Sequence, residues 1–261
     1  MKLKTILLRG MALMLVAVIG YSGYQLWGIH SNNVQEAQMH KRMLQHRPVL
    51  QTSLLSVSRA EPAKFTESIV NQGIVDLQSL YPDVIGWLTI PNTRIDYPFA
   101  QGDDNDHYLH MDLDRNWSQA GTIFMDYRNS KDFSDFNNII FGHNMRNGSM
   151  FGTLRNFNDQ HFFDTNKTGT IFLANKTYEI EIMAFAVIKP DDAIIYNPYI
   201  ETEEDKTIFL DYVKNMARYH RDIGITAKDR IITLSTCNYE FNDARMVVIG
   251  RLSAMLCYSR F

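Results

Sequence analysis

Hydrophobic positions follow three different rhythms along the chain. The first is a nearly unbroken apolar run from Met11 to Trp27, close to the roughly 17–25 residues that cross a bilayer as a helix. Tyr21, Tyr24 and Trp27 stand at its far end, where an aromatic belt belongs, and Lys2, Lys4 and Arg9 precede it. That basic flank predicts an N-terminus inside and the bulk of the chain outside. Residues 29–63 then turn polar and mixed, and read as a helical or loose stalk. In KFTESIVNQGIVDLQSLYP, Lys64 to Pro82, the second rhythm appears: Ile69, Ile74, Leu77 and Leu80 recur at helical intervals until Pro82 stops them.

From Val84 the rhythm is that of strands. VIGWLTI, RIDYPFA, GTIFM, NNIIFG, GTIFLA, TYEIEIMAFAVI, RIITLST and RMVVIGRL are short apolar or alternating runs, separated by turn residues as in IPNTR and KPDD. In the sixth, Tyr178, Ile180, Ile182 and Ala184 alternate with Glu179, Glu181 and Met183, which predicts a half-buried strand. So many short strands favour a mainly β fold closed into a barrel or sandwich, because closure removes exposed edges. One helix interrupts them: in TEEDKTIFLDYVKNMARYH, Thr202 is the N-cap and Phe209, Tyr212, Val213 and Met216 form the apolar stripe. The chain thus divides into an N-terminus on the cytoplasmic side (residues 1–10), a transmembrane signal-anchor helix (11–28), an extracellular stalk (29–63) and a folded domain (64–261). A cleaved signal peptide is the alternative for the apolar run, but no small-x-small site stands out after it.

Composition narrows the classes. The chain has 261 residues, 45% of them hydrophobic, and a net charge of −3, so it folds, and without a basic block it is not expected to bind nucleic acid. Cys237 and Cys257 are the two cysteines, few for an extracellular protein held by disulfides. A free thiol outside the cell invites a functional reading, with a Cys237–Cys257 bridge as the alternative. The acidic clusters GDDNDH and ETEED match neither EF-hand spacing nor a zinc pattern; no metal or cofactor is expected.

Three residues stand out for chemistry. Cys237 closes the run IITLST, and Arg245 opens the next strand after a short polar connection. If these strands pair as a hairpin, the two become neighbours at one rim. A guanidinium there favours the thiolate of a group whose free pKa is about 8.5, or holds a developing oxyanion. A surface pairing of Arg245 with Asp243 or Glu240 is the competing reading. A nucleophilic thiol also needs a proton donor and acceptor. Among the histidines, His143 closes NNIIFGH, where Gly142 permits a sharp turn over the sheet rim.

With these residues in place the chain resembles the class B sortases of Gram-positive bacteria. The resemblance rests on TLSTC at Thr233–Cys237, Arg245 opening the final strand, and IIFGHNM around His143. DVIGWLTIPNTRIDYPFAQGDDNDHYLHMD and GTIFMDYRN extend it, so that it covers about Leu77 to Leu252. It implies a sortase-type eight-stranded β-barrel with an N-terminal helix and a helix in the loop before the cysteine strand. It implies His143, Cys237 and Arg245 as the catalytic set, and Asn105, Leu109, Ser235, Ile195 and Tyr196 on the substrate side. It further implies a membrane-held cysteine transpeptidase. Such an enzyme cleaves a C-terminal sorting signal after threonine through a thioacyl intermediate. The surface protein then passes to an amine of the peptidoglycan cross-bridge or its lipid-linked precursor. A class-B-like pilin polymerase, using a pilin lysine as acceptor, is the alternative within the family. Outside it stand another cysteine peptidase, an L,D-transpeptidase-like wall enzyme, or a non-catalytic membrane-tethered binding module. The tail SAMLCYSRF does not follow the family ending.

Overall fold

The computed structural model describes residues 2–49, 70–237 and 244–255, with Lys2, Leu3, Thr5, Ile6, Leu8 and Cys237 through their backbone alone. Glu240, Asp243 and Cys257, and with them the surface pairing of Arg245 and the disulfide alternative, lie outside the described residues. The chain forms two compact units, Met1–Arg42 and Met43–Phe261.

The first unit is formed by helix α1 (Lys2–Met43), whose last residue already belongs to the second. It is long and apolar enough to cross a membrane, and side chains such as Met11, Leu15, Ile19 and Trp27 are exposed rather than packed. The helix runs on past Gly28, so the first part of the expected stalk is helical; residues 50–63 are not described.

The second unit begins with a 3-10 turn at Leu44–His46 and continues, after the undescribed segment, with α2 (Gln72–Leu80). Ile74 and Leu77 form the buried face of α2. Next come β1 (Val84–Thr89), β2 (Asp96–Ala100), the short α3 (His107–His110), β3 (Ile123–Met125) and β4 (Asn137–Phe141). A 3-10 segment at Gly152–Asn158 and α4 (Gln160–Thr165) lead to β5 (Thr168–Leu173) and β6 (Thr177–Ile188). Helix α5 (Glu203–Met216), β7 (Tyr219–His220), β8 (Arg230–Cys237) and β9 (Arg245–Ala254) complete it.

The strand order β5-β1-β2-β3-β4-β8-β9-β6 closes through pairing of β5 with β6, giving an eight-stranded barrel; β7 hangs on the far side of β6. All eight apolar runs of the sequence become barrel strands. The sheet is mixed: β2–β3 and β4–β8 are parallel, the remaining barrel pairs antiparallel. Strand β7 escapes the sequence pattern because two residues carry no alternation.

Two apolar layers hold the unit. Phe99, Met125, Ile140, Ile182, Phe185, Ile232, Leu234 and Val248 belong to one buried cluster that fills the barrel. Met183, Ala186, Val247 and Ile249 face the other way, against Phe209 and Val213 of α5. Thr202 caps α5, accepting from the Asp205 amide at 3.1 Å, as its sequence predicts. In β6 the expected alternation fails at Met183. The register shifts there, and one extra residue exchanges the two faces for the rest of the strand. Ala184 therefore joins the outer layer with α5, while Phe185 points into the barrel with Ile180 and Ile182.

Candidate active site

The site is assembled by three neighbouring strands. Strands β8 and β9 form the expected hairpin, and the Cα register sets Cys237 opposite Arg245. On the other side of β8, β4 runs parallel, with Phe141 opposite Ser235. Parallel strands present their C-terminal ends together, so the residues just after Phe141 meet the end of β8. The Gly142 amide donates to the Ser235 carbonyl at 3.2 Å, and Thr236 Oγ1 donates to the Gly142 carbonyl at 2.6 Å. His143 is thereby carried to the end of β8. A cleft of about 540 Å³ opens there, lined in part by His143, Ser235 and Arg245.

Gly142 does not serve through a sharp turn: its φ is not positive. A Cβ there would lie 2.8 Å from the Phe151 ring, so the glycine is needed for close packing beneath the histidine. The His143 ring is half-buried, and its Nε2 is 2.7 Å from the Leu109 carbonyl oxygen. A carbonyl only accepts, so Nε2 carries the proton and Nδ1 is the nitrogen that gains or loses one. Burial pushes the His143 pKa below the ordinary imidazole value. The Leu109 hydrogen bond opposes this, and electrostatic repulsion from His110 and Arg245 adds to the lowering. The His110 ring centroid is 6.4 Å away.

Leu109 also depends on a glycine. Gly121 has φ +57°, and a Cβ there would sit 2.6 Å from the Leu109 oxygen. Any side chain would be strained and would press on the acceptor of His143. Asn105 lines the cleft with Leu109 and accepts from the Tyr127 amide at 3.1 Å. Asp104, from the acidic cluster weighed as a metal site, accepts from the amides of Asp106 and His107 at 2.9 and 2.7 Å. It thus organises the start of α3.

The opposite wall is the loop between β6 and α5. Asn137, fully buried in β4, donates to the carbonyls of Ile195 and Asn197 at 2.9 and 3.1 Å and accepts from Thr233 Oγ1 at 2.8 Å. Asp192 accepts from the amides of Ile194 and Ile195 and, at 2.6 Å, from the Tyr212 hydroxyl on α5. Held in this way, the loop sets the Tyr196 hydroxyl 2.8 Å from Ser235 Oγ, and both residues line the cleft. Ile195 does not join them. Its side chain is sealed in the layer under α5, so its expected contact with substrate is withdrawn; its carbonyl instead anchors the loop.

Sequence reasoning passed over Arg128 and Asp126. Both sit in a polar turn after β3 that reads as surface, yet Asp126 is fully buried and Arg128 lines the cleft. Hydrogen bonding to Asp126 raises the guanidinium pKa further, keeping it charged. Among the described residues no group of histidine, cysteine and carboxylate side chains is placed to hold a metal.

Comparison with known proteins supplies a family context. Residues 88–253 match a family model described as a sortase domain. The chain is 37% identical over 258 residues to a Listeria monocytogenes protein named sortase B, covering 97% of this chain and 99% of that one. Its structure resembles that of Clostridium perfringens sortase B, with 34% identity, a TM-score of 0.66, and coverage of 69% of this chain and 98% of the other. It also resembles a Staphylococcus aureus sortase B–substrate complex, with 27% identity, a TM-score of 0.72, and coverage of 85% and 98%.

Proposed function

Because the chain belongs to the sortase family and is a cysteine transpeptidase of the sortase B type, acting on surface proteins that carry sorting signals, we propose that Cys237, His143 and Arg245 are its catalytic set. The observation that carries this is positional. Cys237 and Arg245 are cross-strand partners, His143 follows the parallel strand beside them, and His143 and Arg245 line one cleft.

In the proposed mechanism the Cys237 thiolate attacks the threonine carbonyl of a sorting signal. Arg245 stabilises the charge that develops on that oxygen. The C–N bond breaks as His143, protonated at Nδ1, gives its proton to the leaving amine, and a thioester to Cys237 remains. An acceptor amine then attacks the thioester, neutral Nδ1 takes its proton, and the thiolate is released. Burial, which lowers the imidazole pKa, makes the protonated ring a stronger acid toward the leaving amine. The acceptor is the amine of a peptidoglycan cross-bridge or its lipid-linked precursor. Asn105, Leu109, Ser235 and Tyr196 flank the peptide.

The apolar helix is consistent with a single membrane anchor holding the catalytic domain outside the cell. We place residues 1–10 in the cytoplasm, residues 11–28 in the bilayer, a stalk at 29–63 and the catalytic domain at 64–261. Tethering raises the effective concentration of a membrane-held substrate and precursor.

The test presents the full-length protein with a panel of threonine-containing sorting-signal peptides and several amines. The wild type is expected to form a thioester on Cys237, seen by mass spectrometry, and an amine-dependent product. An adduct that still forms in Cys237→Ala would sink the assignment.

A further inference from the structure

The catalytic set leaves unexplained a second cation that lines the cleft. Arg128 Nε and Nη2 donate to the two oxygens of fully buried Asp126 at 2.9 and 2.6 Å. Nη2 also donates to the Tyr196 carbonyl at 3.0 Å. A guanidinium has five N–H donors, and these bonds use three. The two on Nη1 have no partner among the described residues, while the side chain is 29% exposed and lines the cleft. A flexible cation on a surface turn is different. Here the fork is clamped on one edge by a buried carboxylate, so its other edge is held in a fixed direction, with little rotamer freedom left to lose on binding.

Resting on the transpeptidase reading, we infer that Arg128 is a substrate-binding residue whose Nη1 edge hydrogen-bonds a neutral carbonyl oxygen of the sorting-signal peptide, with Asp126 as its positioning residue. Neutrality of the acceptor follows from the pairing. The Asp126 charge already balances the guanidinium, so the free edge offers hydrogen bonds without net positive charge. A main-chain carbonyl and a side-chain amide share this chemistry.

The test uses full-length protein and the sorting-signal peptide that the wild type cleaves fastest. Arg128→Lys and Arg128→Met are expected to raise KM about tenfold, the loss of a hydrogen bond to a charged donor, with kcat little changed. Alkylation of Cys237 by iodoacetamide, followed by mass spectrometry, should keep its wild-type rate and pH profile. A wild-type KM in folded variants overturns the proposal. So does an alkylation rate that falls in parallel with turnover, because Arg128 would then only support the site. Should Arg128→Met fail to fold with Asp126 left unpaired, the double variant Asp126→Asn/Arg128→Met replaces it.

Asp126→Asn supplies a readout that support of the fold would not move. With the guanidinium charge uncovered, peptides carrying Asp or Glu should gain several-fold in kcat/KM over those carrying Asn or Gln. An unchanged preference counts against the pairing. Replacing peptide amide side chains one at a time separates the sources: a single position that removes the effect of Arg128→Lys identifies a side-chain acceptor, and an effect that survives every replacement identifies the main chain. Failure of the transpeptidase reading looks different, since the wild type would then cleave no peptide in the panel.

Discussion

The inside of the barrel and its outer face at the cleft are made from the same strands but held by opposite means. Within β8, Ile232 and Leu234 fill the interior, where apolar contact alone suffices. Thr233 and Ser235, which alternate with them, are just as buried, yet each is satisfied by a hydrogen bond, to Asn137 and Tyr196 respectively. The interior tolerates any set of apolar shapes that fills it. The outer face is directional: each polar group works only if its partner stands within hydrogen-bond reach. Stability should therefore reside in the first region and catalytic geometry in the second.

Paired substitutions give the largest separation. Phe185→Ala, in the interior, should cost about 3–5 kcal/mol of unfolding free energy, while the folded fraction retains its kcat/KM. His143→Ala should do the reverse. Turnover should fall by about 10²–10⁴, with stability within about 1 kcal/mol of wild type in urea unfolding. Parallel losses of activity and stability in either variant would erase the division.

Asn137→Ala probes a residue that belongs to both regions. It strips partners from two loop carbonyls and the Thr233 hydroxyl, and about 2–4 kcal/mol should be lost. Unlike Phe185→Ala, it should also raise KM, because the wall bearing Tyr196 loosens. A purely energetic defect would show that the loop holds its place without this anchor.

Gly121→Ala should cost about 1–2 kcal/mol for its left-handed backbone and displace the Leu109 carbonyl. Since that hydrogen bond raises the His143 pKa, its loss should move the imidazole titration, followed by NMR, to still lower pH. An unmoved titration would show that Leu109 is not the controlling contact.

The smallest effect is in the pH dependence of stability. The folded state holds His143 below its ordinary value, so below about pH 6.5 the unfolded chain binds more protons. Stability is then at its full value above that pH and is lost as pH falls toward the folded-state value. His143→Gln should flatten this slope by less than about 1.4 kcal/mol per pH unit. His220, also shifted down by burial, should leave a residual slope of the same sign.

Local rules account for what could be read from the residues alone. The eight strand segments and α5 were legible because burial of one face imposes a period of two or near 3.6, and that period survives in any sequence that folds this way. The Cys237–Arg245 pairing was legible for a related reason: the strands are adjacent in the chain, and a hairpin fixes its own register. The bulge at Met183 was not, because Ile182 to Ile188 are all apolar and carry no alternation from which an exchange of faces could be read. Nor was the place of His143. Its strand joins β8 in parallel across 94 residues, and no local periodicity encodes which distant strand lies alongside. The resemblance to class B sortases placed Ile195 at the substrate, but its packing under α5 depends on how the loop folds back. Arg128 and Asp126 look like any polar turn until the loop bearing Tyr196 closes over them. Periodicity and chain adjacency determine elements and neighbouring pairs, whereas the cleft required contacts between distant segments whose hydrogen-bonding partners exist only once the barrel has closed.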